Sequence, residues 1–334
     1  RRKFQIHPEE DVIMTLSRGA IGNLVNRYRA VLRKCRMMNV FGSLAVAGML
    51  VAGNAGFAGA EELSGDISPI SLSGDTRNII GVGDISLRST EPALRYLINV
   101  SGQGQLDISM SNGSPMAVGN ADGIYLKDYS DYDQYASAFH VAGSGSSGSF
   151  VGTGTFSMVG GGKLLGVCAF LSESKGTLTL SGDITGEAEA VMNGSNGYAS
   201  FVAAAAGGNL VFGGDRTTLR AKASTGNNAN GAFVKYGGMI DFASKSVLIE
   251  SKNTDSNSVG INCADGTVKT SADTDLDIVV EGNKATTGIQ LTASSSDVQL
   301  AGNLDLTATQ TGQDSFASVL GISNDSGKMV VSGP

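Results

Sequence analysis

The chain has 334 residues and a formal net charge of -7, enough for one large domain or two ordinary ones. Its 47 glycines and 5 prolines follow no strict three-residue period, which excludes collagen, and 41% apolar content excludes a disordered chain. Aromatics are 6% with no tryptophan, so the expectation is a thin, repetitive core of many short strands rather than one built on large rings.

Charge is unevenly spread. Residues 1–60 hold 9 Lys/Arg and 3 Asp/Glu, leaving 15 of the 24 basic and 28 of the 31 acidic residues, net -13, in 61–334. So acidic a body argues against nucleic acid or an anionic membrane surface as a partner. Glu9-Glu10-Asp11 can be encoded by a purine-rich, ribosome-binding type of sequence just before the Met14 codon. Residues 1–13 are therefore read as translated upstream sequence. Arg18, Arg27, Arg29, Arg33, Lys34 and Arg36 then form a positive region, followed by the uncharged, mostly apolar 13-residue run Val40 to Ala52. Ala58-Gly59-Ala60 is an A-x-A site that places cleavage before Glu61. This is the layout of a secretory signal peptide over 14–60, and the apolar run is short of the ~20 residues that span a bilayer. It implies the Sec export machinery as a partner.

The body is periodic. Gly (or Ser), any residue, apolar, any residue, apolar recurs from Gly176, Gly208, Gly238, Gly266, Ser296 and Gly327, at spacings of 32, 30, 28, 30 and 31. Thr270 breaks the apolar pattern once. An earlier copy at Gly104 lies 72 residues before Gly176, which points to an excursion at about 120–165. Each unit carries two further alternating runs, such as Leu276-Asp-Ile278 and the segment after Gly288. Period-2 alternation marks half-buried strands, and the Gly, Asn, Asp and Ser clusters between runs mark turns. Three strands per ~30-residue unit predict a right-handed parallel β-helix, whose stacked coils bury what one unit cannot. A β-sandwich is the runner-up but does not explain the three-run unit. Cys168 and Cys263 fall three coils apart, on the order of 14 Å at the spacing of paired strands. A disulfide needs Cα atoms within about 7 Å, so two free, buried thiols are expected.

Asn26-Arg27-Tyr28-Arg29-Ala30-Val31 resembles the extended signal peptide region of bacterial type V secretion proteins. With a Gly/Ser/Asn-rich acidic β-helical body, the chain resembles the passenger of a classical autotransporter. The resemblance implies an outer-membrane β-barrel translocator, which this chain does not contain, and a place at the cell surface or outside it. The sequence stops inside a repeat at Pro334, so a truncated passenger is expected. Two-partner secretion exoproteins share the signal and the fold, but no NPNL- or NPNG-type motif is present.

Tyr125, Tyr129, Tyr132 and Tyr135, interleaved with Asp128, Asp131 and Asp133, form the one dense aromatic-acidic cluster. It is a possible patch for a host glycan or protein, with a helix packing Tyr125, Tyr129, Tyr132, Ala136 and Phe139 on the coils as the alternative reading. Its three Asp lack an EF-hand pattern. Gly143-Ser-Gly145-Ser-Ser-Gly148 matches G-x-G-x-x-G, but a strand-like stretch follows where a phosphate site needs a helix. His140 is the only histidine after the signal, which excludes a multi-His metal site, and no serine sits in a nucleophile motif. No catalytic, metal or cofactor residue is assigned. The expected role is adhesion or a stalk presenting loops. The alternative is a β-helical polysaccharide lyase or hydrolase, for which Asp107 and Asp241 would be the carboxylates.

Overall fold

A computed structural model describes residues 60–92, 94–111, 113–121, 135–161, 166–191, 199–224, 228–312 and 318–333. Ala58 and everything before it lie outside the described residues, as do Tyr125, Asp128, Tyr129, Asp131, Tyr132 and Asp133. The described residues contain 23 strands and no helix.

The strands run coil by coil. β1 (Glu61–Asp66), β2 (Ile70–Ser73) and β3 (Thr76–Ser89) open the stack. The second coil is β4 (Tyr96–Ser101), β5 (Gln105–Met110) and β6 (Pro115–Asn120). Three coils of two long strands follow: β7 (Tyr135–Ala142) and β8 (Ser147–Gly160), β9 (Gly166–Glu173) and β10 (Thr177–Ala190), β11 (Ala199–Ala206) and β12 (Asn209–Ala223). Then come β13 (Asn228–Lys235), β14 (Gly238–Phe242) and β15 (Ser246–Asn253), and β16 (Ser258–Cys263), β17 (Gly266–Thr270) and β18 (Asp275–Gly282). β19 (Thr286–Leu291), β20 (Ser296–Ala301), β21 (Asn303–Gln310), β22 (Val319–Asn324) and β23 (Lys328–Ser332) complete the series.

These make a parallel β-solenoid of about eight turns. Sheet B has nine strands, one per coil, in the order β2-β4-β7-β9-β11-β13-β16-β19-β22. Sheet A has 14 strands and covers the other two faces, because β3, β8, β10 and β12 run around the corner between them. That corner needs glycine: Gly152 and Gly182 are paired there at φ 138° and 118°, and a Cβ on Gly182 would strike the Gly152 backbone.

The sequence repeat is the structural ladder. Thr177 pairs with Asn209, Asn209 with Met239, Gly238 with Gly266, Gly266 with Ser296, and Asp297 with Lys328. Thr270 keeps its place in the ladder because its hydroxyl donates to Ala301 O at 2.5 Å and accepts from Ala301 N at 2.8 Å. The excursion is narrower than its expected span of 120–165. Gln105 pairs with Ser147 and Ser147 with Thr177, so Ser146 to Phe150 is a further copy of the motif. Gly148 stands where the motif has an apolar residue. The ring of Phe139 fills that space, 2.9 Å from where a Cβ on Gly148 would sit. Ala136 and Phe139 therefore lie on β7, paired with Val167 and Phe170, and not on a helix.

The interior corrects the expectation of a core without large rings. Phe139, Phe150, Phe156, Phe170, Phe212 and Phe242 are fully buried. Their centroids form a chain: Phe150 to Phe156 at 5.3 Å, Phe156 to Phe170 at 5.1 Å, Phe170 to Phe212 at 5.5 Å and Phe212 to Phe242 at 5.4 Å. A low average hid a local concentration. Each ring contributes roughly 1.5–3 kcal/mol by burial. Glycines make the room: a Cβ on Gly186 of β10 would lie 2.5 Å from Phe170 of β9, and one on Gly154 within 2.8 Å of Phe150 and Phe156 of its own strand.

Candidate binding surface

Sheet B is unusual in burying both of its faces. In β7, β9 and β11 nearly every residue is buried. Within these strands the alternation changes parity in mid-strand. Ala169 and Phe170 both enter the main core, as do Val202 and Ala203. Residues that flank such a pair then face outward on either side. Tyr135, Cys168, Leu171, Ala199, Phe201 and Ala204 form a second, smaller apolar cluster there, with Tyr96 and Phe233 against it.

Following the ladder from β11 to β19 turns this surface into a grid. One row runs Ala199, Asn228, Asn257, Ala285. The next runs Phe201, Asn230, Val259, Thr287, and the third includes Phe233, Asn262 and Gln290. Together they line a groove of about 220 Å³. Its floor is aromatic at one end, where Phe201 and Phe233 stack with centroids 4.5 Å apart at 28°. The remainder is carboxamide. Asn262 Nδ2 donates to Asn230 Oδ1 at 3.2 Å, and Asn257 Oδ1 accepts from Ala285 N at 3.2 Å. Asn262 Oδ1 is shut off from solvent with no hydrogen-bond partner. Among the described residues that line this groove, none is charged.

Charge is concentrated on sheet A instead, in pairs that link one coil to the next. Arg220 reaches Glu250 at 2.5 Å and Glu187 at 3.4 Å, and the two carboxylates hold its guanidinium above its usual pKa. Lys252 meets Glu281 at 2.6 Å, Lys245 meets Asp215 at 2.6 Å and Lys269 meets Asp241 at 2.9 Å. The cleft of about 300 Å³ beside Arg220 and Lys252 is lined by these paired charges together with Lys222.

Of the residues singled out by sequence, Tyr135 is the only one of the tyrosine-aspartate cluster among the described residues. It is buried, its ring edge-on to Phe201 at 6.0 Å, and burial followed by the nearby Cys168 and Glu173 pushes its phenol up. Lys235 Nζ lies 5.2 Å from the ring. Ala60 precedes β1, and Glu61 opens it and pairs with Arg77 at 2.8 Å. His140 stacks on Tyr96 at 4.0 Å between Asn99 Oδ1 at 2.8 Å and Glu173 Oε2 at 3.0 Å. Ser137 Oγ donates to Phe139 O at 2.8 Å, so it is engaged with backbone. Asp107 bonds Ser149, and Asp107 and Asp241 share one ladder position four coil steps apart, on the order of 19 Å. Carboxylates that cooperate on a glycosidic bond stand about 5–10 Å apart. Gly143 and Gly145 sit in the turn before β8 with positive φ, and a strand follows. Cys168 and Cys263 are free and buried, one in the outer cluster and one in the main core; burial raises both thiols. No group of three or more metal-ligating side chains occurs among the described residues.

The groove itself was not singled out from sequence. Its signal is faint: Phe201, Asn230, Phe233 and Asn262 are ordinary residues until the ladder lays them side by side. No family profile, curated protein or solved structure matches the chain.

Proposed function

We propose that the chain is the passenger region of an exported bacterial surface protein of the autotransporter type, acting as an adhesin or stalk without catalytic activity. The observation that carries this reading is the order of parts. A basic region, a 13-residue apolar run and an A-x-A site precede a parallel solenoid of in-register coils whose outer face carries an uncharged groove. A parallel solenoid suits the role physically. Each coil contacts only its neighbours, so the stack forms a long stiff rod, and residues one coil apart present a periodic surface. The groove gives that rod something to bind with. The rival, a β-helical lyase or hydrolase, is weakened by the separation of Asp107 and Asp241 and by the partnering of Asp241 with Lys269.

The test is to express the complete gene in a Gram-negative host and treat intact cells with protease. The expected result is a mature N-terminus at Glu61 and solenoid fragments released from the cell surface. A full-length precursor retained inside the cell contradicts the proposal.

A further inference from the structure

We propose that the groove on the outer face of sheet B binds a neutral glycan chain. This deepens the adhesive reading and takes its biological meaning from it, but its chemistry stands on the groove alone.

The lining decides the ligand class by exclusion and by fit. A phosphorylated or acidic polymer needs a free cationic partner. Among the described lining residues none is cationic, the nearby Lys235 is held over the Tyr236 ring at 4.4 Å and the Phe233 ring at 5.7 Å, and the body carries a net charge of -13. An apolar protein surface would cover the exposed amides of Asn228 and Asn257 and the half-buried ones of Asn262 and Gln290 without replacing their bonds to water. Each buried polar group left unmatched in that way costs about 1–3 kcal/mol. A polyol matches them, since each hydroxyl both donates and accepts and each carboxamide offers one of either kind. Asn262 Oδ1, sealed and unpartnered, supplies an acceptor that a turn of its side chain brings to a bound hydroxyl. Phe233, half-buried and stacked on the buried Phe201, supplies an apolar contact beside the amides for the C–H groups of a sugar ring.

The geometry also gives a direction. The grid repeats at the coil spacing, about 4.8 Å, so equivalent groups recur along the solenoid axis and suit a chain lying parallel to it. At about 220 Å³ the groove falls below the ~300–1,000 Å³ of pockets that enclose a whole small molecule. It therefore holds one or two rings of a polymer, and tight adhesion would come from many copies acting together.

The test is calorimetric titration of the purified chain with cellohexaose, xylohexaose, mannohexaose and maltohexaose, with hexagalacturonate as the acidic counterpart. Saturable binding of at least one neutral hexasaccharide is expected, and none of hexagalacturonate. Phe233→Ala should weaken binding at least tenfold. Gln290→Ala, a change at the groove rim, should weaken it several-fold with the melting temperature unchanged. Binding that survives both substitutions, preference for hexagalacturonate, or no binding across the neutral panel overturns the proposal. Because purified protein is used, such a failure leaves the surface-display result standing, and a failure of export leaves this one standing.

Discussion

The coils from β7 to β12 and those from β13 onward fill the same interior by different means. In the first region phenylalanines carry the volume, and glycines on the facing strand yield to them, as Gly186 does to Phe170. In the second the glycines change sides. Gly231, Gly260 and Gly288 form a ladder in sheet B, and Ile249, Ile278 and Leu306 of sheet A reach across into the space each leaves. Burial is kept by both means: β9 and β11 in the first region and β16 and β19 in the second are buried at nearly every residue. Volume in this solenoid is thus balanced across the coil, not strand by strand.

The largest expected effect lies in the middle coils. Phe170→Ala removes a ring that touches both Phe156 and Phe212 and should cost about 3–5 kcal/mol in denaturant unfolding; a loss below 1 kcal/mol would mean that the rings are not the continuous core they form here. Next comes overpacking in the later coils. Gly260→Val meets Ile278 and the Gly288 carbonyl and should cost about 1–3 kcal/mol. Ile278→Ala in the same chain should recover part of that cost, because the two sites share one space. Equal, additive losses would break the cross-coil account. On the surface, Arg220→Ala loses two half-exposed ion pairs and should cost no more than about 1 kcal/mol.

The two thiols compare the regions without a change in stability. Cys168 sits in the outer cluster of sheet B and Cys263 in the main core, and both are fully buried. Iodoacetamide should modify neither quickly in the native state. Both folded thiol values lie above the ordinary 9.0. The stability they contribute is therefore complete below that value and declines as pH rises through and beyond it. A thiol that reacts at the rate of a free peptide at pH 8 would refute its burial.

The periodicity was legible because alternation and turn residues are local. The 30-residue ladder from Gly176 to Gly327 could be read directly, and the free thiols followed from coil spacing. What stayed hidden depends on contacts between coils. Gly148 masked a copy of the motif because Phe139, from another strand, supplies its side chain. The parity change at Ala169-Phe170 erased simple alternation, so Ala136 and Phe139 suggested a helix. The groove was hidden for the same reason, since its rows run across strands and not along them.

The binding role of sheet B is tested most directly by the side-chain amide NMR signals of the purified chain, titrated with the neutral hexasaccharide that binds. Shifts confined to Asn228, Asn230, Asn257, Asn262 and Gln290, with the amides elsewhere unmoved, are the expected result. Shifts clustered on sheet A, or spread evenly over the surface, would contradict a recognition surface built on this face.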